Sequence, residues 1–271
     1  MTNVSTSPFG ELRFGGPLIS VEVRDAVSGA VLVSEDADRV QRTASIGKLL
    51  LLIEVAVRFA DGRLRPDAAL ERTAEDEVSD SGLWQHLTSD ALPAADLAAL
   101  VGAVSDNLAT NVLLRQVGLL AVHERARMLG LTDTKLHDRV RDHRRPSDPE
   151  TLSTGSAVEL CALMGRLHRG EVRSKAVSRQ VLRWLALDTD TSMTAGAFGL
   201  DPLSHTEPDR GFTLAHKTGT DTGIRCDVGL IGGPARTLAY AVLAEFDDDD
   251  RDAVLGRMFA HGQAIRELAE G

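Results

Sequence analysis

Three short clusters in this 271-residue chain carry side chains that could act together on an acyl compound. The first is Ser45-Ile46-Gly47-Lys48, at the start of the apolar run 49–57. With Ser45 at a helix N-terminus, Lys48 lies one turn later on the same face, so its amine can reach the hydroxyl. A serine alcohol is a weak nucleophile until a neighbouring base removes its proton. The helix start also offers a free N–H and a positive dipole end to a developing oxyanion. A serine cap beside an unrelated surface lysine is the other reading of these four residues.

The second cluster is Ser105-Asp106-Asn107, in the connection between two helical segments. In non-helical chain, residues i and i+2 point the same way, so Ser105 and Asn107 can both face a cleft. There the hydroxyl can relay a proton and the amide can hold a substrate amide. Asp106 reads as a helix cap. The third is Lys217-Thr218-Gly219, expected at the end of a strand over 212–216. Gly219 would let a ligand approach the strand edge closely, while Lys217 and Thr218 offer a charge and a hydroxyl to an anion. Alone, the same tripeptide often marks only a turn.

These clusters need elements to bring them together. Alternating runs over 18–24 and 30–34, joined by 25–29, predict a β-hairpin. Strand character then disappears, and helical periodicity covers 48–59, 94–104, 108–117, 121–129, 156–167 and 175–187. Strands return at 212–216, 225–231 and 237–245, followed by a helix over 253–268. Strands at both ends with helices between them predict an α+β fold. One antiparallel sheet is built from the two termini with flanking helices, and an all-helical lobe is inserted in it. The expected division is a discontinuous α/β lobe (1–43 and 195–271) and a helical lobe (44–194), with a small-molecule cleft between them.

Forty acidic against thirty basic side chains give a net charge of -10, which excludes a nucleic-acid or anionic-membrane partner. An anionic substrate would then need a local basic patch. No stretch reaches the roughly 18 apolar residues of a membrane-spanning helix. Residues 1–17 lack the basic start and apolar run of a signal peptide. As written the chain is expected in the cytoplasm; a trimmed mature form would instead be periplasmic or secreted. Cys161 falls in a helical pattern and Cys226 in a strand, and two buried free thiols are expected rather than a disulfide. The eight histidines show no metal-ligand spacing, so neither metal nor cofactor is expected. His216 is expected to orient the strand end, and Trp84 to sit in the core rather than form an aromatic wall to the cleft.

Taken together and in this order, the three clusters resemble the motif set of the class A serine β-lactamases and penicillin-binding proteins. The separation of Ser45 from Ser105 and the segment LAALVGAVSDNLATNVLLRQVG (97–118) are similar to the class A enzymes. The resemblance runs from about Leu18 to the C-terminus. It implies a β-lactamase/transpeptidase-like fold in which Ser45 attacks a β-lactam or related amide and forms an acyl-enzyme. Lys48 would assist its deprotonation, and Ser105 would pass the proton to the departing nitrogen. The N–H groups of Ser45 and Thr220 would form the oxyanion hole. Asn107 would bind the substrate's side-chain amide. Lys217, Thr218 and Thr220, beside Gly219, would hold its carboxylate. Arg225 would join them, unless it is an ordinary strand-surface arginine. The implied ligand is an anionic small molecule, and a monomer is expected.

The chain also departs from that pattern. Class A enzymes normally carry a glutamate in the loop after the second motif, where it activates the deacylating water. Matching Asp138-Arg139 to the family's Asp-Arg pair places Arg141 at that position, and an arginine cannot act as a base. Asp142, Asp148 or Glu150 could substitute, or could simply pair with the arginines around them. Deacylation is therefore expected to be atypical. An insertion near 199–208 and an abbreviated N-terminus are further departures. The same scaffold would also suit a D-alanyl-D-alanine peptidase, an esterase, a biosynthetic amidase or a slow-releasing β-lactam-binding protein.

Overall fold

The computed structural model describes residues 16–203 and 208–271. In chain order the elements begin with β1 (Leu18–Asp25), β2 (Val31–Glu35), β3 (Gln41–Arg42) and α1 (Lys48–Ala60). They continue through β4 (Ala69–Glu71), β5 (Ala91–Pro93), α2 (Ala94–Val104), α3 (Asn107–Val117), α4 (Leu119–Met128) and β6 (Lys135–Leu136). Next come β7 (Ser153–Gly155), α5 (Ala157–Arg169), α6 (Lys175–Leu185) and β8 (Thr213–Asp221). The chain closes with β9 (Ile224–Gly232), β10 (Thr237–Glu245) and α7 (Arg251–Glu270).

The principal sheet has the order β2-β1-β10-β9-β8 and is antiparallel throughout. Its centre joins early and late chain, with Leu18 opposite Glu245 and Asp25 opposite Leu238. The sheet from both termini and its flanking helices are therefore as expected. On β10, Leu238, Tyr240, Val242 and Ala244 enter the core beneath α7, while Ala239, Ala241 and Leu243 enter the core on the helical side. Covering both faces explains why this strand reads as an unbroken apolar run. Helix α1 is buried at every position from Lys48 to Val57, so it is the axis of the helical region rather than a surface helix.

The structure corrects the sequence reading in two places. Strand β8 does not stop at His216 but continues through Lys217-Thr218-Gly219 to Asp221, with Thr218 opposite Asp227 and Gly219 opposite Cys226. The extension depends on the tight turn to β9, where Gly223 has φ +67° and no room for a Cβ beside the Phe246 carbonyl. Strand character also persists among the helices, as the ladders β3-β7-β6 and β4-β5. At two or three residues per strand they are too short to show a period.

Cys161 and Cys226 are buried free thiols, and Trp84 is fully buried. The readings made for residues 1–15, and for the 204–207 part of the insertion, lie outside the described residues. Among the described residues no helix is long and apolar enough to cross a membrane.

Candidate active site

Ser45 sits in a single 3-10 turn, Ala44–Gly47, that runs directly into α1. Ala44 holds φ +46°, a left-handed conformation costing a non-glycine residue about 1–2 kcal/mol. The turn is pinned by Ser153, whose hydroxyl donates to the Ala44 carbonyl at 2.6 Å and lies 2.8 Å from Thr43 Oγ1. Two glycines make room for this. A Cβ on Gly47 would come within 2.4 Å of the Ser153 Cβ, and one on Gly219 within 2.4 Å of the Thr43 carbonyl oxygen. Gly219 is thus demanded by the chain's own turn, not only by a ligand's approach. Ser45 is left half-buried, on the wall of a cleft of about 620 Å³ that Ser105, Asn107, Thr218 and Thr220 also line.

Lys48 lies behind that wall, fully buried. Its Nζ donates to the Ser105 carbonyl (2.6 Å), the Ser105 hydroxyl (3.1 Å) and Asn107 Oδ1 (2.5 Å). Burial holds its pKa well below the usual lysine value and the Lys217 charge pushes it further, against the opposing pull of Asp106 and Asp188. Ser105 ends α2 in a left-handed conformation, φ +55°. Asp106 caps α3 by accepting from the Ala109 N–H at 2.8 Å, as expected. Its other oxygen accepts from the N–H groups of Leu83 (2.7 Å) and Trp84 (2.8 Å), which fixes the rim segment over the cleft.

On the β8 side, Lys217 is also fully buried and donates to the Thr218 carbonyl at 2.9 Å, with Asp188 Oδ2 at 3.9 Å. Burial lowers its pKa, while Asp188, Asp190 and Asp227 hold it up. The Thr218 N–H donates to Asp188 Oδ2 at 3.2 Å. Arg225 Nη1 donates to the carbonyls of Asp221 (2.8 Å) and Ile224 (2.7 Å), and Arg225 is not among the residues lining the cleft. His216 Nδ1 lies 3.0 Å from Asp227 Oδ1, in a buried network with the Tyr240 hydroxyl (3.0 Å) and the Ala195 N–H (2.8 Å). His216 therefore orients the strand, as expected.

The Beta-lactamase enzyme family model matches residues 12–259. The chain belongs to this family. Membership makes it a serine β-lactamase-like hydrolase acting on β-lactams. A β-lactamase from Sphaerobacter thermophilus is similar at 26% identity and TM-score 0.80, over 94% of each chain. A β-lactamase from Burkholderia vietnamiensis matches at 24% identity and TM-score 0.82, covering 99% of this chain and 97% of that one. PBP-A, in a variant solved as its acyl-enzyme complex with penicillin G, matches at 21% identity and TM-score 0.77, over 93% and 92%. The last two matches speak to the fold alone.

The β-lactamase loop after the second motif is where this chain is most unlike the expected pattern. Arg141 lines the cleft, with Nε 2.6 Å from Asp138 Oδ2. Arg144 also lines it and donates to the same oxygen at 2.8 Å. Asp142 reaches the cleft, but its Oδ1 accepts from the Ser79 N–H (2.9 Å) and hydroxyl (2.8 Å), which hold its pKa below the usual carboxylate value. Asp148 accepts from the Arg145 N–H at 2.8 Å, and Glu150 is exposed and not among the lining residues. Sequence reasoning missed Asp188 and Asp190, which line the cleft beside Thr218. Their only signal was a polar Asp-Thr-Asp directly after the periodic helix 175–187.

Proposed function

We propose that Ser45 is the acylated nucleophile of a β-lactam-opening hydrolase whose acyl-enzyme is released slowly. The convergence of Lys48, Ser105 and Asn107 behind a half-buried Ser45 is the observation that carries this reading. A neutral Lys48 amine keeps two N–H donors for the Ser105 carbonyl and Asn107, and turns its lone pair toward a hydroxyl. Its lowered pKa supports a share of that neutral form. Ser45 then loses its proton to Lys48 and bonds to the carbonyl carbon. The N–H groups of Ser45 and Thr220 receive the oxyanion. Collapse breaks the C–N bond, and the nitrogen takes a proton from Ser105, which Lys48 resupplies. Asn107 and Thr220, which both line the cleft, would contact the substrate.

Slow release is supported by Arg141 in the loop, together with the engagement of Asp142 by Ser79 and the exposure of Glu150. A slow-releasing β-lactam-binding protein is the limiting case of this account. Steady-state loss of benzylpenicillin beside a Ser45→Ala control tests the assignment. Turnover that disappears in the variant is expected, and turnover that survives it contradicts the nucleophile.

A further inference from the structure

A second cavity, of about 730 Å³, is lined by α6 and by the ends of β8, β9 and β10, and shares no lining residue with the Ser45 cleft. The sheet contributes the row Thr213–Gly232–Thr237 and, two residues along, the pair Ala215–Leu230. Small residues keep this end of the sheet open, and a Cβ on Gly232 would come within 2.5 Å of Thr213 Oγ1. From α6 come Leu182 and Trp184, with Ala186 at its C-terminal end. The walls are thus largely apolar, and the volume falls within the about 300–1,000 Å³ of small-molecule sites.

The charge around this cavity is of one sign. Its lining holds no acidic side chain, and its arginines are Arg179 and Arg183. Burial, and then Arg169, hold the pKa of His168 below the usual histidine value, so this third basic group adds little charge at neutral pH. Arg179 and Arg183 are exposed and stand four residues apart on α6, on the stripe that carries Leu182 and Ala186. Like charges at that spacing repel and weaken a helix. Nearby arginines are compensated, Arg169 by Glu171 and Arg173 by Asp61. Among the described residues Arg179 and Arg183 have no carboxylate partner, and Arg183 makes only a 3.5 Å contact with Gln180 Oε1. Two uncompensated guanidinium groups beside an apolar cavity, in a protein of net charge -10, are complementary to an anionic head on an apolar chain.

We infer that this cavity binds a medium-chain monocarboxylate, with its alkyl chain against Leu182, Ala215 and Leu230 and its head group on Arg179 and Arg183. The occupant is the free acid, because the net charge opposes docking on an anionic membrane. Binding buries the alkyl chain and relieves the repulsion between the two arginines. No covalent step is involved, and the site does not depend on the Ser45 reading.

Trp184, one of the chain's two tryptophans, reports the occupant directly. 10-Bromodecanoate is titrated into the full chain, and saturable quenching of tryptophan fluorescence is expected. Decanoate should displace it, whereas decyltrimethylammonium should need at least about tenfold more. Arg179→Gln combined with Arg183→Gln should raise the apparent Kd at least about tenfold, the loss expected for hydrogen bonds to a charged group. Ala186→Phe, which fills the cavity, should abolish the quenching; the arginine variant decides if this one does not fold. Three results overturn the inference: no saturable quenching, equal displacement by the cation, or an unchanged Kd in the arginine variant. Quenching abolished by excess benzylpenicillin also overturns it, because the acid would then lie in the Ser45 cleft.

Discussion

Lys48 Nζ lies 3.1 Å from Ser105 Oγ and 2.6 Å from the Ser105 carbonyl oxygen, joining positions 57 residues apart. One buried amine thereby links the start of α1 to the turn between α2 and α3, with Asn107 as a third anchor. The contact is structural and chemical at once. It fixes the amine beside the Ser105 hydroxyl, and burial keeps that amine out of water.

Lys48→Arg retains the charge but removes the base, because a guanidinium does not lose its proton. Acylation should fall about 100-fold or more, within the range that general base catalysis contributes. Stopped-flow measurement of adduct formation checks this. A rate within about threefold of the wild type would remove Lys48 from the reaction.

Acylation should rise with pH along its acid limb as Lys48 loses its proton. Burial first, and the Lys217 charge second, hold the Lys48 pKa down. Replacing Lys217 with Gln removes that repulsion and leaves Asp188 unopposed, so the Lys48 pKa rises. The acid limb of Lys217→Gln should therefore move to higher pH, as a pH–rate profile of acylation will show. A limb that stays in place or moves to lower pH contradicts the coupling.

Arg141→Glu restores a carboxylate to the cleft-lining loop position. The lifetime of the acyl adduct should shorten by about tenfold or more, the lower end of what a positioned general base gives. Glu150→Gln, at an exposed position, should leave it unchanged. Adduct decay followed by mass separates the two, and a lifetime shortened by neither substitution argues against the missing base as the cause.

Asp227 should matter to stability rather than to chemistry. Its carboxylate takes the buried donors of His216, Tyr240 and Ala195, so Asp227→Asn should cost about 3 kcal/mol. Burial lowers the His216 pKa, but Asp227 and then Asp188 more than offset this, and the net direction is upward. Protonated His216 therefore contributes stability that is complete below the ordinary histidine value of about 6.5 and is lost as pH rises through the higher folded value. The gap between wild type and variant, from denaturant unfolding, should be widest on the acid side and narrow toward alkaline pH. A gap that grows with pH contradicts this assignment.

The residues that organise this molecule differ in how visible they are in sequence. Helix α5 declares itself by a period that one-sided burial imposes, α1 by a nearly unbroken apolar run, and the three motifs by residue types that few surroundings require together. Helix α5 nonetheless packs on β1, β9 and β10, within a segment read as a separate helical lobe. Periodicity reports that a face is buried, not against what. Strand β8 was truncated because Lys217-Thr218-Gly219 looks polar and turn-like, whereas its pairing with β9 and the pressure of the Ser45 turn on Gly219 keep it extended. Asp188 and Asp190 carried no readable motif. Their importance comes from lining the cleft beside Thr218, a placement that no local pattern encodes.

The most direct test mixes the protein with benzylpenicillin in slight excess and follows intact mass and substrate loss on one clock. One acyl group is expected on Ser45, formed faster than it is shed and absent from Ser45→Ala, so that adduct accumulates while turnover stays slow. Rapid substrate loss with no accumulating adduct would contradict slow release. An adduct that persists in Ser45→Ala would contradict the nucleophile.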